Sequence, residues 1–301
     1  MKKAIHIIAV AAAALLCTSA FAEDSGTLKK IKESQTITLG VRDSSIPFSY
    51  LDGNEAYRGY SIDLCMKVVA ALQKQLGLSQ LNVKYNPVTS ATRIPLMANG
   101  TIDLECGSTT NNAERQQQVA FAPSMFLTAS RLLSKKSSNI NGLADLRGKT
   151  LVSTSGTVNL KHLVELNTEK NLGINIVPVK DHAEGFLMVE TGRAAAFGMD
   201  DVVLASLAAS SKSPSEYTIS KEALPPEPYG IMMRRDDPAF KKAVDAAVSE
   251  VYTSGEINRI YSKWFQSPIP PKGINLNWPM SEQLKHAFAK PSDSGDPLSY
   301  K

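Results

Sequence analysis

The chain has 301 residues, 43% hydrophobic and 21% charged, enough for two modest domains or one large one with a real core. That composition excludes a disordered chain, which needs a Pro/Gly/Ser excess or heavy charge. Lysine and arginine number 33 against 29 acids, a net charge of +4 without clustered basic residues, so no nucleic-acid partner is expected.

Residues 1–22 carry Lys2 and Lys3, an apolar run over 4–16, and Ala20-Phe21-Ala22 as a small-residue cleavage site. This is the three-part pattern of a secretory signal peptide, cut after Ala22. The run is shorter than the ~20 apolar residues of a membrane span. Leu16 before Cys17 is bulkier than lipid attachment tolerates, and cleavage removes Cys17. The exported remainder carries 31 basic against 29 acidic residues, +2. Cys65 and Cys106 then face an oxidising compartment. A bridge between them and two buried free thiols both fit the sequence.

Residues 36–41 read as a strand. Residues 59–76 read as an amphipathic helix, with Ile62, Cys65, Val69, Leu72 and Leu76 on its buried stripe. A strand over 81–85, a short helix over 94–98 and a strand just before Cys106 follow. Residues 126–134 form an extended connector. A second set then alternates: strand 149–153, helix 158–169, strand 174–179, helix 184–190, strand 194–199 and helix 201–209. The proline cluster 224–228 precedes another extended run, 229–234. Asp237 caps a helix that has Pro238 in its first turn and Phe240, Val244, Val248 and Val251 on one face. Helix 256–265, the proline-rich 267–273, a weak helix over 282–288 and a polar end with the character of a mobile tail complete the chain.

Alternating strands and helices predict an α/β fold with largely parallel sheets. Its two lobes are expected over 23–130 with 231–279, and over 131–230, leaving 280–301 as a tail. Two crossing strands would make a hinge with a ligand cleft between the lobes. No Cys/His spacing marks a metal site, and no cofactor motif is present.

The run from Glu105 to Arg115 (ECGSTTNNAER) resembles the signature of periplasmic binding proteins for polar amino acids, which serve ATP-driven (ABC-type) importers. GYSIDL at 59–64, TSATRIPLMANGTIDL at 89–104, SGT at 155–157, GRAAAFGMDD at 192–201 and SPIPPKGINLN at 267–277 extend the match over nearly the whole exported chain. The details are most similar to the glutamate/aspartate-binding members. The resemblance implies the type II periplasmic binding fold and no enzymatic activity. It also implies a periplasmic location, L-glutamate or L-aspartate as ligand, and a membrane permease as partner; a monomer is the default expectation.

An α-amino acid demands a guanidinium for its carboxylate and an anion for its ammonium. The resemblance assigns Arg115 as the clamp, with Ser108 and Thr110 beside it and Thr157 across the cleft at a helix N-terminus. It assigns Asp200 to the ammonium. Val158 stands where the family usually has a second threonine, so only its backbone N–H could serve. For the distal carboxylate the resemblance implies Arg42, the Ser90/Arg93 pair and His182. Arg42, Arg93, Arg115 and Asp200 sum to +2 with His182 neutral, against −1 for glutamate. The bland alternatives are a surface Arg42–Asp43 pair and a structural histidine. Arg131, Arg147 and Arg193 are left outside the site. The rival function is a dehydratase-like enzyme on the same scaffold, but no G-x-S-x-G or H-E-x-x-H occurs. Ligand presentation to a chemoreceptor is a third reading.

Overall fold

A computed structural model describes residues 26–300; the signal-peptide expectation and Cys17 lie outside the described residues. The chain opens with helix α1 (Gly26–Ser34), strand β1 (Thr36–Val41) and a small antiparallel sheet of β2 (Ser44–Ser45), β3 (Ser49–Leu51) and β4 (Tyr57–Arg58). Helix α2 (Tyr60–Gln75), strand β5 (Asn82–Pro87), helix α3 (Arg93–Ala98), strand β6 (Leu104–Glu105), the single-turn α4 (Ala113–Gln116) and strand β7 (Val119–Phe121) follow. Strand β8 (Phe126–Lys135) leads into β9 (Thr150–Thr154), α5 (Val158–Glu169), β10 (Asn175–Val179), α6 (His182–Glu190), β11 (Ala196–Asp200), α7 (Asp201–Ser210) and β12 (Tyr217–Ile219). The return runs through β13 (Pro226–Tyr229), β14 (Met232–Arg234), α8 (Pro238–Thr253), α9 (Glu256–Phe265) and α10 (Glu282–Ala289).

Two sheets organise these elements. The first has the order β5-β1-β6-β14-β7, the second β10-β9-β11-β8-β12, with β13 also pairing β8. In the first sheet β5, β1 and β6 are parallel, as βαβ crossovers require, whereas β14 enters antiparallel after returning from the second lobe. Both sheets are mixed, and the parallel strands β1, β9 and β11 end at or near Arg42, Thr157 and Asp200, at the strand C-termini where α/β folds place ligands.

The hinge is β8 against β13, antiparallel, with Phe126 opposite Tyr229 and Thr128 opposite Glu227. Here the structure differs from expectation. The second crossing strand is the proline-rich Pro226–Tyr229 itself, and the run 229–234 breaks at Gly230. Pro226 and Pro228 cannot donate to a ladder, but the one strand β13 pairs with is β8, its other side meeting only a single bridge from Thr110 to Tyr229, so the prolines are tolerated as in an edge strand. Phe126 and Tyr229 are rooted in an aromatic cluster with Phe48, Tyr60, Tyr261 and Phe265, where Phe126 stacks on Phe265 at 5.0 Å. Each such pair adds about 0.5–1.5 kcal/mol beyond simple burial, which fixes the hinge to the first lobe.

Cys65 on α2 and Cys106 after β6 form a disulfide with Cα atoms 6.2 Å apart, resolving the open alternative in favour of a bridge. It ties the buried stripe of α2 to the chain just ahead of Ser108. The polar end also differs from expectation: Leu284, Ala287 and Phe288 of α10 are buried, and so is Tyr300. The Tyr300 hydroxyl meets Ser124 Oγ at 2.7 Å and donates to Ser294 O at 2.7 Å. Scarce apolar residues at helical spacing are enough to pin the segment to the hinge. No described helix is long and apolar enough to cross a membrane.

Candidate functional site

Arg42 follows the last residue of β1, so the sheet delivers it to the crevice. It is only 2% exposed, its Nη2 donates to Ser90 Oγ at 2.8 Å, and the surface Arg42–Asp43 alternative does not hold. Ser90 lies in the turn before α3. Thr89 and Thr92 brace this turn reciprocally, each hydroxyl accepting from the other's backbone N–H. The turn places Arg93 at the first position of α3, 2% exposed, with Nη1 donating to Ser108 O at 3.1 Å and Thr109 Oγ1 at 2.6 Å. His182 opens α6, which Asp181 caps by accepting from Glu184 N. The His182 ring is fully buried, with Nδ1 2.9 Å from Thr154 Oγ1.

Arg115 sits in α4, held at its N-cap by Asn112, whose Oδ1 accepts from Arg115 N at 2.9 Å. Its guanidinium donates to Thr110 O at 2.8 Å and, across the lobes, to Gly156 O at 3.0 Å. Thr110 gives its hydroxyl proton to Glu227 Oε2 at 2.9 Å. Thr157 is the N-cap of α5: it accepts from Leu160 N and donates to Thr154 O at 2.6 Å. Both threonine hydroxyls have therefore committed their protons, and at this helix end the free donors are backbone N–H groups. Asp200 closes β11, accepting from Asn159 Nδ2 at 2.9 Å and from the Tyr229 hydroxyl.

The nine predicted residues thus converge, none of them more than 7% exposed. Four of them present a buried polar atom without a partner in the protein: Arg42 Nη1, Arg93 Nε, Ser108 Oγ and His182 Nε2. An unpaired buried polar atom costs roughly 1–3 kcal/mol, so four together mark a place built for something polar. Arg131, Arg147 and Arg193 lie elsewhere, bonded to Ser220 O, Asn171 O and Thr191 Oγ1 respectively.

The electrostatics follow from burial. Desolvation and the neighbouring Arg93 pull Arg42 down to about 10, and desolvation with Arg93 pulls Arg115 down to about 9; both stay protonated at neutral pH. Burial and the positive charges of Arg42 and Arg93 push His182 far below its ordinary value, so its imidazole is neutral. Burial, then the charge of Glu227, raises Asp200 from 3.8 to about 7, and burial raises Glu227 too.

The site also holds residues that sequence reasoning missed. Glu105 and Glu227 are 0% and 6% exposed among the guanidinium groups, and Thr109, Asn159 and Tyr229 bond to the acids. Two acids absent from the sequence-based count therefore join Asp200 opposite the three guanidinium groups, and the expected +2 is an overestimate. Glu105 stands inside the ECGSTT motif and Glu227 inside the proline cluster, but one looked like strand and the other like linker. Among the described residues no group of three or more His, Cys, Asp and Glu is placed to hold a metal ion.

The lobes are in contact around this cluster. Lys161 of α5 pairs with Glu114 beside Arg115, and His162 Nδ1 lies 3.6 Å from Glu227 Oε1. The cluster faces two clefts, one lined by Arg42, Thr89 and Asp181 (about 520 Å³), the other by Arg115, Thr157 and His162 (about 350 Å³).

Comparison with known proteins agrees with this architecture. The chain is 54% identical over 284 residues, 93% of this chain and 94% of the other, to an L-glutamate/L-aspartate-binding protein of Pseudomonas aeruginosa. It is 44% identical to the glutamate/aspartate import solute-binding protein of Escherichia coli, covering 97% of each. Among solved structures it is similar to an ABC uptake transporter substrate-binding protein from Streptococcus pneumoniae with bound histidine. That likeness has a TM-score of 0.71 and 25% identity, over 79% of this chain and 95% of that one. Residues 37–267 match the model of the bacterial extracellular solute-binding proteins, family 3, and the chain belongs to that family of two-lobed binding proteins.

Proposed function

We propose that this protein captures L-glutamate or L-aspartate between its lobes and delivers it to the permease of an ABC importer, as a periplasmic monomer. Arg115, with Ser108, clamps the α-carboxylate. Thr110 and Thr157 frame it, and the first backbone N–H groups of α5 add the positive helix end. Asp200 takes the ammonium. Arg42, Arg93, Ser90 and His182 receive the distal carboxylate, with Nε2 of the neutral imidazole carrying the proton it donates. The lobes comprise 23–130 with 231–279, and 131–230.

The observation that carries this reading is the convergence of three buried guanidinium groups with the unpartnered Arg42 Nη1, Arg93 Nε, Ser108 Oγ and His182 Nε2. Four donors beside buried positive charge suit an anion. A second anionic end on the ligand is what distinguishes glutamate and aspartate from their amides. The named relatives support the same ligand class. Titration calorimetry with glutamate, aspartate, glutamine and arginine tests it. Glutamate or aspartate is expected to bind at least 100-fold tighter than glutamine, about 2.7 kcal/mol; glutamine binding as tightly as either acid would overturn the assignment.

A further inference from the structure

Glu105 ends β6 with none of its side chain reaching solvent. Its place is built into the backbone. A Cβ on Gly107 would lie 2.1 Å from Glu105 Oε1 and 3.0 Å from Arg42 Cγ, so only glycine leaves room for the carboxylate against the Arg42 stem. Oε2 accepts the Thr109 hydroxyl at 2.6 Å, and Thr109 Oγ1 accepts from Arg93 Nη1 at 2.6 Å. A guanidinium only donates, so the relay has one direction and ends on Glu105 as acceptor. Oε1 has no partner, and neither have Arg42 Nη1 and Arg93 Nε. Among the charges that favour protonated Arg42 and Arg93, Glu105 is the largest.

A pair of uncompensated guanidinium groups would attract two negative charges. We propose that Glu105 sets the acid-over-amide selectivity of the distal half of the cleft, neutralising one of its two guanidinium groups and leaving a net charge of +1 that one ligand carboxylate completes. It is a positioning residue acting through Thr109, Arg93 and Arg42. The inference rests on the reading of the cleft as a glutamate or aspartate site.

The test is calorimetry with glutamate and glutamine, at one pH and ionic strength, on the wild type, E105Q, R42Q and the R42Q/E105Q double variant. Glutamine at 105 keeps an acceptor for Thr109 and removes only the charge. The glutamate-to-glutamine affinity ratio is expected to rise tenfold or more in E105Q. It should collapse toward one in R42Q, where Arg93 and Glu105 cancel. The double variant, again at +1, should recover at least tenfold over R42Q. A ratio in E105Q within twofold of wild type, or no recovery in the double variant, overturns the proposal. If E105Q fails to fold by circular dichroism, the comparison of R42Q with the double variant decides alone, because the double variant removes one charge of each sign and so leaves no buried charge newly unpaired. Failure of the wild type to bind glutamate would instead refute the function proposed above.

Discussion

Gly156 offers a direct perturbation of lobe closure. It turns with φ +76 between β9 and α5 and rests on the first lobe. An alanine Cβ there would lie 2.5 Å from Ala91 Cα, 2.6 Å from Ala91 N and 2.7 Å from Ser90 O, against an ordinary contact of 3.4 Å or more. These are backbone atoms and cannot rotate away, so the lobes must part by roughly 1 Å. That displacement breaks the 3.0 Å bond from Arg115 Nη2 to Gly156 O. A hydrogen bond from a charged group contributes about 1.5–3 kcal/mol, which converts to an affinity loss of about 10- to 150-fold. The left-handed backbone costs alanine a further ~1–2 kcal/mol, but equally in open and closed forms, so it lowers stability and leaves affinity alone. The assay is calorimetry on Gly156→Ala with glutamate, paired with small-angle scattering to follow contraction on binding. Wild-type affinity and wild-type contraction in the variant would show that Gly156 does not meet Ala91 in the liganded molecule.

Asp200 should make both stability and binding depend on pH. Its folded pKa is raised by burial, so between 3.8 and about 7 the folded protein holds a proton that the unfolded chain lacks; this group's contribution to stability is full below 3.8 and falls as pH rises through 7. A bound ammonium favours the carboxylate, so the rise in Tm on adding glutamate should be larger at pH 8 than at pH 5.5; equal rises would disprove the ammonium role. The Cys65–Cys106 bridge spans a sequence separation of 41. The loop-entropy model gives it about 4 kcal/mol, so the Cys65→Ser/Cys106→Ser double variant should melt roughly 10 °C lower. Thr157→Ala removes the α5 cap and should lower stability by about 1 kcal/mol, read as a lower urea midpoint at unchanged slope.

How far the sequence could be read depended on whether a residue's role was local. Helix α5 and helix α9 are found at the expected residues, since apolar periodicity and a capping threonine or glycine are local signals. The buried face of α2 was likewise legible, and with it the place of Cys65, but the bridge to Cys106 is a distance between elements that no spacing encodes. The small β2-β3-β4 sheet escaped notice because its strands span only two or three residues and lack an alternating pattern. Helix α1 carries only Leu28 and Ile31 as buried large side chains, too few to establish a period. In the site, Arg42, Arg93 and His182 were recognisable from motif matches. Their counter-charges were not. Glu105 and Glu227 lie on strands whose outward appearance in sequence is that of ordinary β-edge or linker, and only folding reveals that both face the guanidinium groups.

Those counter-charges and carbonyl contacts explain how a site rich in arginine can be rigid before it is specific. Arg115 spends two of its five N–H donors on Thr110 O and Gly156 O, and Arg93 spends one nitrogen on Ser108 O and Thr109. Carbonyls orient a guanidinium without neutralising it, so the remaining donors stay aimed and charged. For Arg93, whose partners all lie in the first lobe, the cost of this arrangement is met during folding, which leaves less to lose on association. Because one of the two carbonyls on Arg115 belongs to the opposite lobe, its guanidinium is fully oriented only when the lobes meet. An anion that prefers the oriented clamp must therefore prefer the closed form, and by linkage closure must favour the anion. Under the role proposed for Arg115, capture and closure are a single equilibrium, with the Gly156 carbonyl as the atom through which the second lobe acts on that side chain in the first.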